Sequence, residues 1–261
     1  MSHPLQQTVV VTGAASGIGK ATALKFAGPG RHVVVGDLGF SDATQSEFAK
    51  AGIDFRICDV RRVTDIGSLV EFAVQQTTRL DVFVNNAGVG MVKQIEEITE
   101  GDWHSVIDVN LKAVFFGCQA AISVMRQQAE GGSIINVASN AGLLPRAHDP
   151  LYSISKQAVV GLTRSLALCH SKDRIRINCV CPGPVEHTEM IEENFHGRDN
   201  RQQVVRELIN ASPLARAWDR MIQPEEVADA IVYLTDDSAR MVTGTAIAID
   251  GGKSLGVPPA I

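Results

Sequence analysis

Short valine- and isoleucine-rich runs alternate with helix-period stretches along nearly the whole chain, and this rhythm restricts the fold more than any other feature. Strand-like runs are read at Thr8–Thr12, His32–Asp37, Asp54–Asp59, Val82–Asn85, Ser133–Val137, Ile175–Cys181 and Ala246–Asp250. Helical stretches fall between them at Gly17–Ala27, Ala43–Ala51, Val63–Thr78, Asp102–Gln128, Tyr152–His170 and Pro224–Leu234. Strand–helix alternation predicts a parallel sheet covered by helices on both faces. Continuous apolar runs, rather than in–out alternation, suit strands buried on both sides. No linker or repeat divides the 261 residues, so residues 1–261 read as one α/β domain. The polar stretch 188–222 breaks the rhythm and is expected to be a substrate-binding loop region.

Composition excludes several classes. The net charge of −5 without a basic block, and 5% aromatics, argue against nucleic acid. No apolar run is read as a bilayer span of about 20 residues, and the N-terminus lacks signal-peptide character. A soluble, cytoplasmic protein with no membrane partner is expected. Five cysteines without CxxC pairing, and histidines without HExxH spacing, predict neither a disulfide framework nor a metal site. Cys179 and Cys181 are expected on opposite sides of their strand, as small buried hydrophobes.

The first strand runs into Thr12-Gly13-Ala14-Ala15-Ser16-Gly17-Ile18-Gly19, a GxxxGxG loop. Glycines there permit a tight turn and let backbone approach a pyrophosphate at a helix N-terminus. Any strand-to-helix turn can use glycine, but an acid near position 37 adds weight. Asp37 closes the second strand and suits the adenosine ribose hydroxyls of NAD; it would repel the 2′-phosphate of NADP. Leu38 and Gly39 supply no cation for that phosphate, so NAD is favoured over NADP. Asp59, read as the end of the third strand, suits the adenine amino group with Val60 against the ring, or else a capping role.

Tyr152 and Lys156 stand four apart at a helix start, on one face. A free phenol titrates near ~10, too high for proton transfer at neutrality; a neighbouring ammonium would lower it. Lys156 can also bond the nicotinamide ribose. Ser139, thirteen residues earlier, can hold a substrate oxygen or serve as a turn residue. Asn110 lies inside a long helix, where asparagine is unfavourable without a polar task. It can break the helix and hold a water that relays protons to Lys156, or simply face solvent or pack.

Taken in order, these motifs resemble the classical short-chain dehydrogenase/reductase family from Thr8 to Gly252. They are the glycine loop, Asp59-Val60, Asn85-Asn86-Ala87-Gly88, Asn110, Ser139, Tyr152, Lys156, Pro182-Gly183 and Asp250-Gly251-Gly252. The resemblance implies a single-domain Rossmann-type fold with a doubly wound, seven-stranded parallel sheet. It implies a catalytic tetrad of Asn110, Ser139, Tyr152 and Lys156. It also implies cofactor contacts from Gly13, Ser16, Gly17, Ile18, Gly19, Asp37, Leu38, Asp59, Val60, Asn86, Ala87, Gly88, Tyr152, Lys156, Pro182, Gly183, Val185 and Thr188. A homotetramer built on the two long helices and the C-terminal strand is implied too. His187 stands where the family has threonine, so either His187 or Thr188 is expected to meet the nicotinamide amide.

The expected activity is interconversion of a secondary alcohol, or 3-oxoacyl-type carbonyl, with NAD(H), Tyr152 acting as general acid/base. The alternative is a non-catalytic nucleotide-sensing protein of the same fold. The residues expected to line a substrate pocket are Gly90–Val92, Asn140–His148, Gly183–His187 and Met190–Phe195. Arg146 and His148 either bind a carboxylate or phosphate there or are solvated loop residues.

Overall fold

A computed structural model of the chain describes residues 7–144, 146–188, 191 and 200–256. Seven strands are β1 (Gln7–Thr12), β2 (Arg31–Asp37), β3 (Ile53–Ile57), β4 (Val82–Asn85), β5 (Gly132–Val137), β6 (Ile175–Pro182) and β7 (Ala246–Ile249). They form one parallel sheet in the order β3-β2-β1-β4-β5-β6-β7. The chain reverses its direction of travel across the sheet between β1 and β4, which opens a crevice at their carboxyl ends.

Alternation within the strands divides the core in two. Val10 and Val34 face one layer with α3 (Val63–Thr77), α5 (Ala113–Met125) and α6 (Pro150–His170). Val9, Val11, Val33 and Val35 face the other, with α1 (Gly17–Phe26), α2 (Asp42–Ala51) and α9 (Pro224–Thr235). The central strands β1 and β2 therefore carry apolar residues at three consecutive positions, Val9–Val11 and Val33–Val35, which is why the sequence shows runs there rather than alternation.

The stretch read as one helix from Asp102 is α4 (Glu100–Ile107), a π-turn over Asp108–Lys112, and then α5. Glu100–Met125 is long and apolar enough to cross a membrane by length and composition, a run the sequence reading did not register. Here its Val106, Val114, Cys118, Ala121, Ile122 and Met125 are buried in the protein.

Three further expectations are corrected. The polar stretch before Ile222 contains α7 (Arg201–Asn210) and α8 (Pro213–Trp218). β3 stops at Ile57, so Asp59 lies in the turn beyond it. Cys179 and Cys181 share one face and hydrogen-bond each other, because a strand repeats every two residues.

Candidate active site

Three glycines build the crevice floor. Gly13 has φ +64° and Gly17 φ +52°, the left-handed region that disfavours side chains. A Cβ on Gly13 would stand 2.5 Å from the Ala87 Cα, and one on Gly19 2.2 Å from the Gly13 oxygen. Thr12 ties β1 to β4: its hydroxyl accepts from the amides of Asn86 (3.1 Å) and Ala87 (3.4 Å). Asn86, expected among the cofactor contacts, donates its side-chain amide to the carbonyls of Thr12 (3.0 Å) and Gly13 (2.6 Å), so it shapes the loop. Ser16 and Ile18 open α1; the Ser16 side chain does not cap that helix, and no acid lies in its first turn. These first-turn amides, set over a floor that only glycine can form, fit a dinucleotide pyrophosphate.

Asp37 ends β2 beside this loop. Its carboxylate accepts from the amides of Ala15 (2.8 Å) and Leu38 (2.7 Å), fixing it at the rim. The Leu38 side chain is 64% exposed. Asp59, by contrast, is clasped by the Arg61 guanidinium at 2.7–3.1 Å. That contact holds its carboxyl below the ordinary range. The Val60 side chain is buried and packs in the core.

The four tetrad residues are all buried: Asn110 and Lys156 at 0% and 3% exposure, Tyr152 and Ser139 at 5% and 6%. Pro150 starts α6, with its fixed φ suited to a first turn, and sets Tyr152 and Lys156 one turn apart. Ser139 follows β5 and hydrogen-bonds the Tyr152 hydroxyl. Lys156 Nζ donates to the Val137 carbonyl at 3.1 Å. Asn110 occupies the π-turn, where its side chain accepts from the Val89 amide and donates to the Val89 carbonyl, both at 2.9 Å. It also donates to Ser155 Oγ at 3.2 Å. A Cβ on Gly88 would sit 3.3 Å from Lys156 Nζ and 3.4 Å from Asn110 Oδ1. Gly88 thus lies between the two, and a side chain there would require Lys156 to shift by a few tenths of an ångström.

Burial raises the Tyr152 phenol above its ordinary pKa, opposed by the Ser139 hydrogen bond and the charge of Arg146. The expected lowering by Lys156 is not among the resolved causes. Its ammonium lies 5.9 Å from the phenol ring centre and is anchored on Val137. Burial brings Lys156 itself down to about 8.

After β6, Gly183 bonds the Ile249 carbonyl at 3.0 Å and a Cβ on it would stand 3.0 Å from the Asp250 Cα. Pro182 and Val185 are buried, and Val185 pairs with Ile222. His187 takes φ +57° and is exposed. Thr188 instead donates to the Val185 carbonyl at 2.9 Å, and its methyl would lie 3.1 Å from a Cβ on Gly17. Of the two, Thr188 reaches the glycine loop. Met190 and the 192–195 part of the expected pocket wall lie outside the described residues. Sequence reasoning missed Thr12 and Ser155; a hydroxyl ending an apolar run was the available signal for the first.

A family model described as enoyl-(acyl carrier protein) reductase matches residues 13–254. The chain belongs to the short-chain dehydrogenase/reductase family. It is 38% identical to the 3-oxoacyl-(acyl-carrier-protein) reductase FabG of Thermotoga maritima, over 93% of this chain and 96% of that one. It is 34% identical to a 3beta-hydroxysteroid dehydrogenase of Mediterraneibacter gnavus, over 95% and 94%. A crystal structure of an actinorhodin polyketide ketoreductase variant with NADPH superposes with TM-score 0.88 at 32% identity, covering 97% of this chain and 99% of that one. The protein is an oxidoreductase of this family, and its relatives are named for action on hydroxyl or oxoacyl groups.

Proposed function

We propose that the chain interconverts a secondary alcohol and a ketone with a nicotinamide cofactor, NAD in preference to NADP, and that Tyr152 moves the proton. The observation that carries this reading is the buried hydroxyl pair of Tyr152 and Ser139 beside Lys156, reached through Gly88 from the glycine loop. The bound cofactor supplies the hydride acceptor or donor. In oxidation, Tyr152 takes the hydroxyl proton as the carbinol hydrogen departs with its electron pair. Ser139 hydrogen-bonds the substrate oxygen and stabilises charge developing there. Lys156, fixed on the Val137 carbonyl, places its ammonium at the rim of Gly88 where a ribose hydroxyl would lie. In reduction, Tyr152 returns the proton. The raised phenol favours this acid role at neutral pH, and oxidation is expected to accelerate as pH rises.

Support for NAD comes from Asp37, held at the loop rim with the apolar Leu38 next to it. The NADPH of the actinorhodin relative supports the other cofactor. A homotetramer is the proposed assembly, supported by exposed Phe115 on α5 and by Ile154 and Leu168 on α6; sedimentation measures it. Substituting Tyr152→Phe is expected to cut turnover at least about 10²-fold while NADH binding persists. Spectrophotometric assays at the NADH band with a panel of ketones and alcohols test this. Normal turnover by the variant would refute it.

A further inference from the structure

Tyr152 is flanked by two cations at nearly equal distance, and one of them has no part in the reading above. Lys156 Nζ lies 5.9 Å from the ring centre. Arg146 Cζ, from the loop between β5 and α6, lies 5.7 Å from it. The lysine is held on the Val137 carbonyl. The arginine is held by Asp149, one oxygen of which meets Arg146 Nη1 at 3.2 Å. The other Asp149 oxygen accepts from Ser153 Oγ at 2.9 Å, and the Ser153 amide donates to the Asp149 carbonyl at 2.9 Å. Asp149 is 4% exposed. A carboxylate fixed on the first turn of α6 thus keeps the guanidinium beside the tyrosine that the same turn carries.

His148, in the same loop, bonds Gln94 at 2.9 Å instead. On β6, Cys181 hydrogen-bonds the Ser139 backbone, and its thiol stays neutral because Cys179 and burial push it up. A cation within about 6 Å of an aromatic ring centre is attracted to it, and positive charge beside a phenol favours the phenolate. Burial raises the Tyr152 phenol; the charge of Arg146 opposes that rise, and Asp149, acting more weakly, adds to it. A buried carboxylate needs a cation in any case. The service of Arg146 to Asp149 and its effect on Tyr152 therefore call for separate readouts.

We infer that Arg146 is a positioning residue of the reaction: held by Asp149 against the Tyr152 ring, it supplies a second positive charge that stabilises the phenolate form. This rests on the reading of Tyr152 as the proton-transfer group and deepens it. The guanidinium is 42% exposed, so solvent screens it and its influence is a fraction of that of a buried charge. Without Arg146 the phenol is expected to ionise about half a unit higher. Oxidation, which needs the phenolate, gains from the arginine near neutral pH.

The chain has two tyrosines, Tyr152 and Tyr233, so Tyr233→Phe leaves tyrosinate absorbance to report Tyr152 alone. Upward pH jumps in a stopped-flow instrument read that ionisation before the chain unfolds. In this background Arg146→Gln is expected to raise the ionisation midpoint by about half a unit or more, Asp149→Asn to lower it, and Arg146→Lys to leave it in place. A midpoint unmoved by Arg146→Gln, or moved as far by Arg146→Lys, overturns the inference and leaves Arg146 a structural partner of Asp149. Should Arg146→Gln not fold, the unaltered loop decides: sodium chloride at about 1 M, where charges are screened beyond about 3 Å, should raise the midpoint, and indifference to salt overturns the inference. The pH profile of turnover with NAD, read separately, tests Tyr152 itself. A profile that fails to follow a shifted midpoint refutes the proton-transfer role and leaves the pairing of Arg146 with the phenolate standing.

Discussion

Replacing Lys156 by methionine is expected to raise stability while lowering activity, and pH exposes the reason. The ammonium is 3% exposed and its pKa falls from 10.5 to about 8 through burial. At about 1.4 kcal/mol per unit, keeping it charged in the folded protein costs about 3 kcal/mol near pH 7. Its hydrogen bond to the Val137 carbonyl offsets about 1 kcal/mol of that. Methionine has similar length and no charge, so Lys156→Met is expected to be about 2 kcal/mol more stable at pH 7 and to melt about 4–8 °C higher. The folded pKa lies below the unfolded one. Between them the unfolded chain holds a proton that the folded chain has released, so the parent gains stability as pH rises. The gap should narrow by about 2 kcal/mol between pH 7 and about pH 9.5. Cys58 and Cys118, whose thiols burial pushes up to about 12, weaken both proteins alike at high pH and cancel in the comparison. Urea unfolding at the two pH values measures the effect. A variant less stable than the parent at pH 7, or a gap indifferent to pH, refutes the reasoning. Turnover should meanwhile fall about 10²-fold as the site loses a positioning group.

Asn110→Ala strips the Val89 amide and carbonyl of their partner; unfolding in urea should show a loss of about 2–3 kcal/mol, and a loss under 1 kcal/mol counts against the assignment. Gly19→Ala drives a methyl to within 2.2 Å of the Gly13 oxygen, so NADH titration should show binding weakened about tenfold or more, with no change as the contrary result. Asp37→Ser removes the rim carboxylate; the ratio of kcat/KM for NAD over NADP should fall about tenfold or more, and an unmoved ratio would assign cofactor choice elsewhere.

The sheet was legible because both faces of its central strands are covered, so Val9, Val10 and Val11 all had to be apolar. The Tyr152–Lys156 pair was legible because helical spacing alone brings it together. What these groups touch was not. Lys156 rests on Val137, nineteen residues away, and Asn86 reaches back seventy-four residues to Thr12; only the closed sheet creates those contacts. The Arg61 contact of Asp59 was not legible, because a guanidinium two residues on can point elsewhere until the turn after β3 closes. α7 escaped notice because Val204, Val205, Leu208 and Ile209 give it a narrow apolar stripe in a polar segment, and only Ile209 of that helix is buried.

The π-turn at Asp108–Lys112 ties the chemistry of the site to the architecture of the fold. A π-turn takes up one surplus residue in a single widened turn, so the helix beyond it keeps its phase. α5 buries Ala113, Val114, Cys118, Ala121 and Met125 on that continued face, while the widened turn delivers Asn110 to Val89 and Ser155. Deleting one residue here is expected to restore regular winding and leave the apolar row against the sheet, at the expense of the Asn110 contacts alone.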